Sequence, residues 1–240
     1  AIFDFSACKS DIIQARCSAN GEFIYGYLED STIKIWDKKG HELLTLAGIK
    51  APILAVKLSD DNKLIGGLDS DSTLYIWTFQ GSLILRSKAF YNYINANNIF
   101  NFSPDNNYIA HLLPDNEIII YKSSGEVLQT LTGHKAAVAS VNFSPDSRFM
   151  ATTSMDSTIM IWYYNKAKTG FELYKQLKGH KSTVWSAHFS RDSKYILSAS
   201  ADSTWKIWNL NGNIVFEKGS GFLFKAIGKK LCDASFCAND

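Results

Sequence analysis

The sequence predicts an all-β chain of four-stranded antiparallel sheets repeated at a fixed period, and three observations predict it. A refrain recurs five times, as Asp30 to Trp36, Asp71 to Trp77, Asp115 to Tyr121, Asp156 to Trp162 and Asp202 to Trp208. In each copy the aspartate stands six residues before an aromatic, and the aromatics follow one another at 41, 44, 41 and 46 residues. A period of that size marks a repeat architecture. Between the refrains, short segments alternate apolar with polar residues and favour β-branched and aromatic side chains, while Gly, Pro, Asn, Asp and Ser punctuate them. That is the pattern of strands and tight turns.

The copy from Glu126 to Trp162 justifies each element in turn. Val127 to Leu131 alternates as a strand and stops at Thr132-Gly133-His134. Val138 to Phe143 alternates again and runs into the turn Ser144-Pro145-Asp146-Ser147. Arg148 to Ser154 supplies a third strand, Met155-Asp156-Ser157 a tight connection, and Thr158 to Trp162 a fourth strand. Read in order, these four make one antiparallel meander. Ile159 and Ile161 point to one face of it, Met160 and Trp162 to the other, so the sheet needs a neighbour on each side. Stacking such sheets radially about an axis provides both neighbours and leaves only short edges. The predicted architecture is therefore a β-propeller.

These residues also carry a family resemblance. Gly133-His134, Phe143-Ser144-Pro145-Asp146, Asp156 and Ile161-Trp162, with Gly179-His180, Phe189-Ser190, Asp202 and Ile207-Trp208, resemble the WD-repeat (WD40-type) signature. The likeness runs over essentially the whole chain, although only Trp36-Asp37 keeps the eponymous dipeptide. It implies a hydrogen-bonded tetrad in each blade: a loop His, a Ser or Thr on the second strand, the Asp of the tight connection and the Trp of the third strand. His134, Thr152, Asp156 and Trp162 match it, as do His180, Ser198, Asp202 and Trp208, with the same steps of 18, 4 and 6 residues. Elsewhere the tetrad decays. Gly26 and Gly67 occupy the hydroxyl position of the first two repeats, and the third has His111 there with Tyr121 in place of Trp.

The repeats are expected at about 6–47, 48–88, 89–132, 133–178 and 179–218, with the start of another at 219–240. By the same resemblance, Ala1 to Phe5 is a fourth-type strand that completes the last blade, and Leu231 to Cys237 is the first strand of a sixth repeat. Seven blades of about 43 residues need roughly 300. The chain is thus expected to be a fragment of a seven-bladed ring, incomplete at its C-terminal end, with five complete repeats.

Composition sets wide bounds. The 240 residues are 46% apolar, enough for a sizeable core, and 25 basic against 23 acidic side chains give no blanket attraction to nucleic acid or anionic lipid. No apolar run is long enough to span a membrane, and the first residues lack the basic start and long apolar stretch of a signal peptide. An intracellular, cytoplasmic location is expected, with a nuclear one left open. Cys8, Cys17, Cys232 and Cys237 are too few for a disulfide scaffold and form no CxxC pair. They read as reduced, buried, small apolar residues.

Chemical sites weigh little. Ser198, His180 and Asp202 are the residue types of a nucleophilic triad, but the set recurs one period earlier with Thr152, as structural repetition requires and catalysis does not. His41, His111, His134, His180 and His188 are scattered, and Cys232 and Cys237 have no histidine near them in sequence. Gly219 and Gly221 lack the context of a phosphate-binding loop. Asn101-Phe102-Ser103 and Asn142-Phe143-Ser144 fit a glycosylation sequon only at the ends of predicted inner strands. No catalytic residue, cofactor or metal is expected, and the chain reads as a non-enzyme.

The remaining candidate is surface. The resemblance implies that partners engage the face built by the connection before the first strand and by that between the second and third. Carried over residue by residue, that face holds Glu29, Ser70, Pro114, Met155 and Ala201, joined by Asp11, Ile13, Asn98, Thr183 and Trp185 from the first strands. Trp185 would face the axial opening, as a partner anchor or as a plug against neighbouring blades. The aromatic segment Ala89 to Ile94, with Phe90, Tyr91 and Tyr93, is placed on the same face, as a contact surface or as a packed flap. On the opposite face, Tyr163 to Gly170 reads as an extended hairpin loop with exposed tyrosines and lysines. The expected function is a protein–protein interaction scaffold or adaptor within a multiprotein complex. Its partner is a protein or peptide, with no membrane and no direct nucleic-acid contact. The alternative is a WD-repeat subunit of an RNA-processing or ribosome-assembly particle.

Overall fold

A computed structural model describes residues 10–88 and 96–219. The opening strand Ala1 to Phe5, the aromatic segment with Phe90, Tyr91 and Tyr93, and the last strand Leu231 to Cys237 lie outside the described residues, as do Cys8, Cys232 and Cys237. The described residues form five sheets, each of four antiparallel strands in sequence order. The first holds β1 (Ile12–Cys17), β2 (Phe23–Leu28), β3 (Ile33–Asp37) and β4 (Glu42–Leu46). The second holds β5 (Ile53–Leu58), β6 (Leu64–Asp69), β7 (Thr73–Thr78) and β8 (Leu83–Lys88). The third holds β9 (Phe100–Phe102), β10 (Tyr108–Leu112), β11 (Ile118–Lys122) and β12 (Val127–Leu131). The fourth comprises β13 (Val138–Phe143), β14 (Phe149–Ser154), β15 (Thr158–Asn165) and β16 (Gly170–Lys178). The fifth comprises β17 (Val184–Phe189), β18 (Tyr195–Ser200), β19 (Thr204–Asn209) and β20 (Ile214–Gly219). The first two sheets, with the hairpin tip Ser123–Gly125, form one compact unit, and the other three form a second.

The meander read from Val127 to Trp162 needs correction: Val127–Leu131 pairs backward onto β11 and is the outer strand of the third sheet. A tight hairpin decides it, closed by the Glu126 carbonyl accepting from the Lys122 amide at 2.8 Å. The connection from Thr132 to Ala137 then carries the chain, with His134 on it, into the innermost strand of the next sheet.

Both faces of the middle strands are buried, as the two-faced pattern requires. Ile159, Met160, Ile161 and Trp162 are all at most 4% exposed. In the second unit one core joins Ile159, Ile161 and Leu177 of the fourth sheet to Val184, Ile196 and Trp208 of the fifth. In the first unit Ile33 and Ile35 meet Val56, Ile65 and Trp77. In the fourth sheet burial falls from β13, buried along its length, to β16, which is largely half-buried or exposed.

Polar clamps tie neighbouring sheets within the second unit. The Asn101 amide donates to Asn142 Oδ1 at 2.9 Å, and that of Asn142 donates to the Ala187 carbonyl at 3.0 Å, so both sequon asparagines are occupied between inner strands. Gln129 on β12 makes a two-way clamp with the backbone of Phe171 on β16, at 3.0 and 2.8 Å. At the turns, Ser147 Oγ accepts from the Asp105 amide and Ser193 Oγ from the Asp146 amide. Ser147 and Ser193 hold positive φ, 57° and 60°, which aims each hydroxyl at the preceding sheet's turn.

Candidate functional site

The turns that follow β2, β6, β14 and β18 share one device. The residue after the refrain's aspartate, Ser31, Ser72, Ser157 or Ser203, holds a positive φ, and the residue before it donates its amide to the connection ahead of the first strand. Glu29 bonds the Asp11 carbonyl, Ser70 that of Pro52, Met155 that of Ala137 and Ala201 that of Thr183, all at 2.8–2.9 Å. In each of these sheets the two connections expected to build the interaction face are therefore held together. Glu29, Ser70, Pro114, Ala201 and Asp11 are exposed, while Met155 and Thr183 are half-buried. Asn98 departs from expectation. It lies in a 3-10 turn, Ala96–Asn98, that tucks it in at 5% exposure, so it offers no surface.

The odd placement of Trp185 and Ile13 has a common cause. The pairing of first and second strands skips one residue in four sheets, between Ile12 and Gln14, Ile53 and Ala55, Val138 and Ser140, and Val184 and Ser186. Ile13, Leu54, Ala139 and Trp185 are thus the extra residues of β-bulges, which re-aim a side chain out of the strand's alternation. Ile13 is 58% exposed, and Trp185 is half-buried between the buried Val184 and Ser186. Its indole N–H is covered yet has no hydrogen-bond partner.

Two blades carry a complete polar chain beneath this face. In the fifth sheet the Trp208 indole donates to Ser198 Oγ at 2.8 Å, Ser198 Oγ lies 2.8 Å from His180 Nε2, and His180 Nδ1 lies 2.9 Å from Asp202 Oδ2. These contacts fit one tautomer, in which Ser198 donates to Nε2 and the Nδ1–H donates to the carboxylate. Asp202 also accepts from the Lys181 amide at 2.8 Å and from the Thr204 hydroxyl at 2.6 Å. The fourth sheet repeats the arrangement with Trp162, Thr152, His134 and Asp156 at 2.9, 2.9 and 3.0 Å. The carboxylate staples the loop that bears its own histidine. Ser198 is fully buried, with its oxygen held between Trp208 and His180, so it presents nothing to a substrate.

Burial opposes the charge on Asp202, but hydrogen bonds from Thr204, the Lys181 amide and His180 outweigh it and hold the carboxyl well below its usual range. For Asp156, burial is outweighed in the same way by His134, Thr158 and the Lys135 amide. Burial also lowers the pKa of His180, against the pull of Asp202, so the imidazole is kept neutral. His180→Ala is expected to destabilise by about 1–3 kcal/mol, because it leaves Ser198 and a buried carboxylate short of partners. As pH falls below about 6.5 the unfolded chain protonates this histidine before the folded one, so stability declines toward acid. The depressed Asp202 adds to the loss at lower pH still. The variant should show a flatter decline between pH 7.5 and 5.5 in thermal melts; an unchanged midpoint would remove the structural role.

Where the tetrad decays, other groups fill the space. In the second sheet the buried carboxylate is Asp69, two residues before the refrain's Asp71. It accepts from the Thr73 amide at 2.8 Å and from the Tyr75 hydroxyl at 3.2 Å. The refrain pointed to Asp71, which is exposed. In the third sheet His111 is fully buried and stacks on Tyr121, with ring centroids 6.0 Å apart. Two expectations fail. Cys17 is an exposed free thiol, because it falls on the outward side of the alternating β1. Tyr163 and Tyr164 belong to β15 and are half-buried; only residues 166–169 form the loop. Among the described residues no group of three or more His, Cys, Asp or Glu side chains could hold a metal ion.

Comparisons with known proteins agree with this geometry. Residues 125–163 and 171–209 each match the WD40 family, described as WD domain, G-beta repeat. Among curated proteins, pre-mRNA-processing factor 19 homolog 2 of Arabidopsis thaliana is 44% identical over 45 residues, 19% of this chain and 9% of that protein. Eukaryotic translation initiation factor 3 subunit I of Pyricularia oryzae is 37% identical over 70 residues, 29% of this chain and 20% of that protein. Each match therefore spans a fifth or less of the relative's length. The crystal structure of the C-terminal WD40 domain of Sif2 superposes with a TM-score of 0.72 at 20% identity, covering 91% of this chain and 60% of that one. The chain thus contains WD40 repeats, and its fold is that of a WD40 β-propeller domain.

Proposed function

We propose that this chain is a non-catalytic protein–protein interaction scaffold whose docking face, in the second unit, is built by the connections before β13 and β17 and after β14 and β18. The β-bulge at Trp185 carries the reading. It turns a large aromatic out of a strand whose neighbouring residues are fully buried, on the side where Thr183 and Ala201 are bonded together. Its counterpart in the fourth sheet, Ala139, is small and buried. Large aromatics at the centre of such faces are the usual anchors of protein contacts. The exposed thiol of Cys17 suits a reducing compartment, and a cytoplasmic location is proposed with it.

A second reading, a subunit of an RNA-processing or ribosome-assembly particle, is favoured by one observation: two relatives are named for pre-mRNA processing and for translation initiation. Co-purification from the source cell identifies the partner, and Trp185→Ala then tests the face. At least about 2 kcal/mol of partner affinity, some 30-fold, is expected to be lost with little change in melting temperature. If melting temperature drops sharply while affinity survives, Trp185 plugs the fold and the face is wrong. A complex that dissociates on RNase treatment, or whose affinity falls steeply with salt, favours the second reading.

A further inference from the structure

At the other end of the fourth sheet's strands lies a cleft of about 590 Å³, within the range of pockets that hold small ligands or a few residues of peptide. Its floor is aromatic. Tyr164 lies against Tyr108 with ring centroids 5.1 Å apart and against Phe171 at 5.4 Å. Phe149 pairs across the strands with Tyr163. The hairpin that carries the tyrosines is braced from beneath, since Glu172 takes hydrogen bonds from Lys168, Asn165 and Tyr163 that hold its pKa at about 2.

The cleft's charges are unequally committed. Asp105 accepts from Ser103, from the Asn107 amide and from the Asn107 side chain, and Asp146 accepts from Ser144 and from the Arg148 amide. Both carboxylates are thereby occupied in forming their turns, the two bonds to Asp146 both falling on Oδ1. Arg148 and Lys166 are exposed and form no ion pair among the described residues; the Arg148 guanidinium lies 5.6 Å from the centroid of Phe149. The geometry points to a binding site for a short acidic peptide. One Asp or Glu side chain would lie between Arg148 and Lys166, and an adjacent aromatic or aliphatic side chain would rest on Phe149 and Tyr164. A peptide fits better than nucleic acid. A peptide brings a single carboxylate to the two cations and carries backbone N–H groups that can meet Asp146 Oδ2, whereas a nucleic acid repeats its phosphate charge along the whole cleft, against both fixed carboxylates. The site lies apart from the Trp185 face and does not depend on it.

The test pans a displayed library of random hexapeptides on the intact chain, then titrates the enriched sequence, labelled with fluorescein, by anisotropy. Enriched peptides are expected to pair Asp or Glu with Phe, Tyr or Leu. Their affinity should fall at least tenfold for R148E/K166E and again in 0.5 M salt, with the melting temperature unchanged because both residues are exposed. Should the double reversal fail to melt cooperatively, R148Q/K166Q serves, with a loss of at least fivefold. Enrichment of basic or purely apolar sequences, equal binding by the variant, or displacement by a single-stranded oligouridylate that binds more tightly would each overturn the proposal. So would a preference above tenfold for phosphotyrosine over glutamate in the same sequence. Trp185→Ala should leave hexapeptide binding intact, so failure of either site leaves the other standing.

Discussion

Trp208→Ala is expected to cost about 3–5 kcal/mol, the largest effect of any single change in the second unit. The indole is 1% exposed and packs among Val184, Ile196 and Ile161, so truncation removes a large apolar surface and leaves a cavity that the surrounding sheets cannot close. It also removes the donor to Ser198, leaving the His180 and Asp202 chain without its inner end. The ring supports the loop above as well, because Gly179, at φ 158°, sits where a Cβ would lie only 3.0 Å from Trp208 Cη2. Trp208→Phe separates the two contributions, keeping most of the packing while losing the hydrogen bond, and should cost about 1–3 kcal/mol. Urea denaturation of both variants measures the difference. A loss under about 2 kcal/mol for the alanine variant would show that the tetrad is peripheral to stability.

The second large effect lies in the first unit, where the tetrad is absent. Gly26 occupies the position held by Thr152 and Ser198 in the complete blades, and restoring a side chain there should harm the protein. A Cβ on Gly26 would stand 2.2 Å from the Gln14 carbonyl and 3.1 Å from Ala15 Cα. Those atoms are backbone of the paired strand β1, which can yield only by breaking its register. Gly26→Ala is expected to destabilise by about 3 kcal/mol, the upper end of overpacking costs. Gly67→Ala is the internal control. There the Cβ meets Ile33 Cδ1 at 2.8 Å and the Trp77 ring at 3.1 Å, side chains that can shift, and about 1 kcal/mol is expected. Thermal melts of the two variants should rank them in that order; equal or reversed effects would show that β1 gives way freely.

These two cases mark how far the refrain can be read. Where the Gly-His, hydroxyl, Asp and Trp positions all survive, the resemblance to the WD-repeat signature names the hydrogen-bonded set, and the structure forms it. In the second blade the same count names Asp71, and Asp69 is the buried acid instead, held by the Thr73 amide and the Tyr75 hydroxyl. The period likewise finds every strand near the Glu126 to Trp162 copy yet assigns Val127–Leu131 to the wrong sheet. Alternation reports that a segment is extended but not which neighbour it bonds.

The sequence determined the class of fold and the period of the blades, and its resemblance to the WD-repeat signature named the two complete tetrads, since each depends on separations of a few tens of residues at most within one repeating unit. Tertiary structure alone decided what lies between repeats and at the bulges. Nothing in local spacing shows that Gln129 clamps Phe171, that Ser147 caps the turn at Asp105, or that pairing skips Trp185. The cleft beside Arg148 and Lys166 has the same origin: its walls come from turns about one repeat apart, and only the packing of one sheet on the next brings them together. Local propensity acts through the backbone of a single strand or turn, whereas these contacts arise from side chains meeting across sheets, where shape and unpaired polar groups decide the outcome.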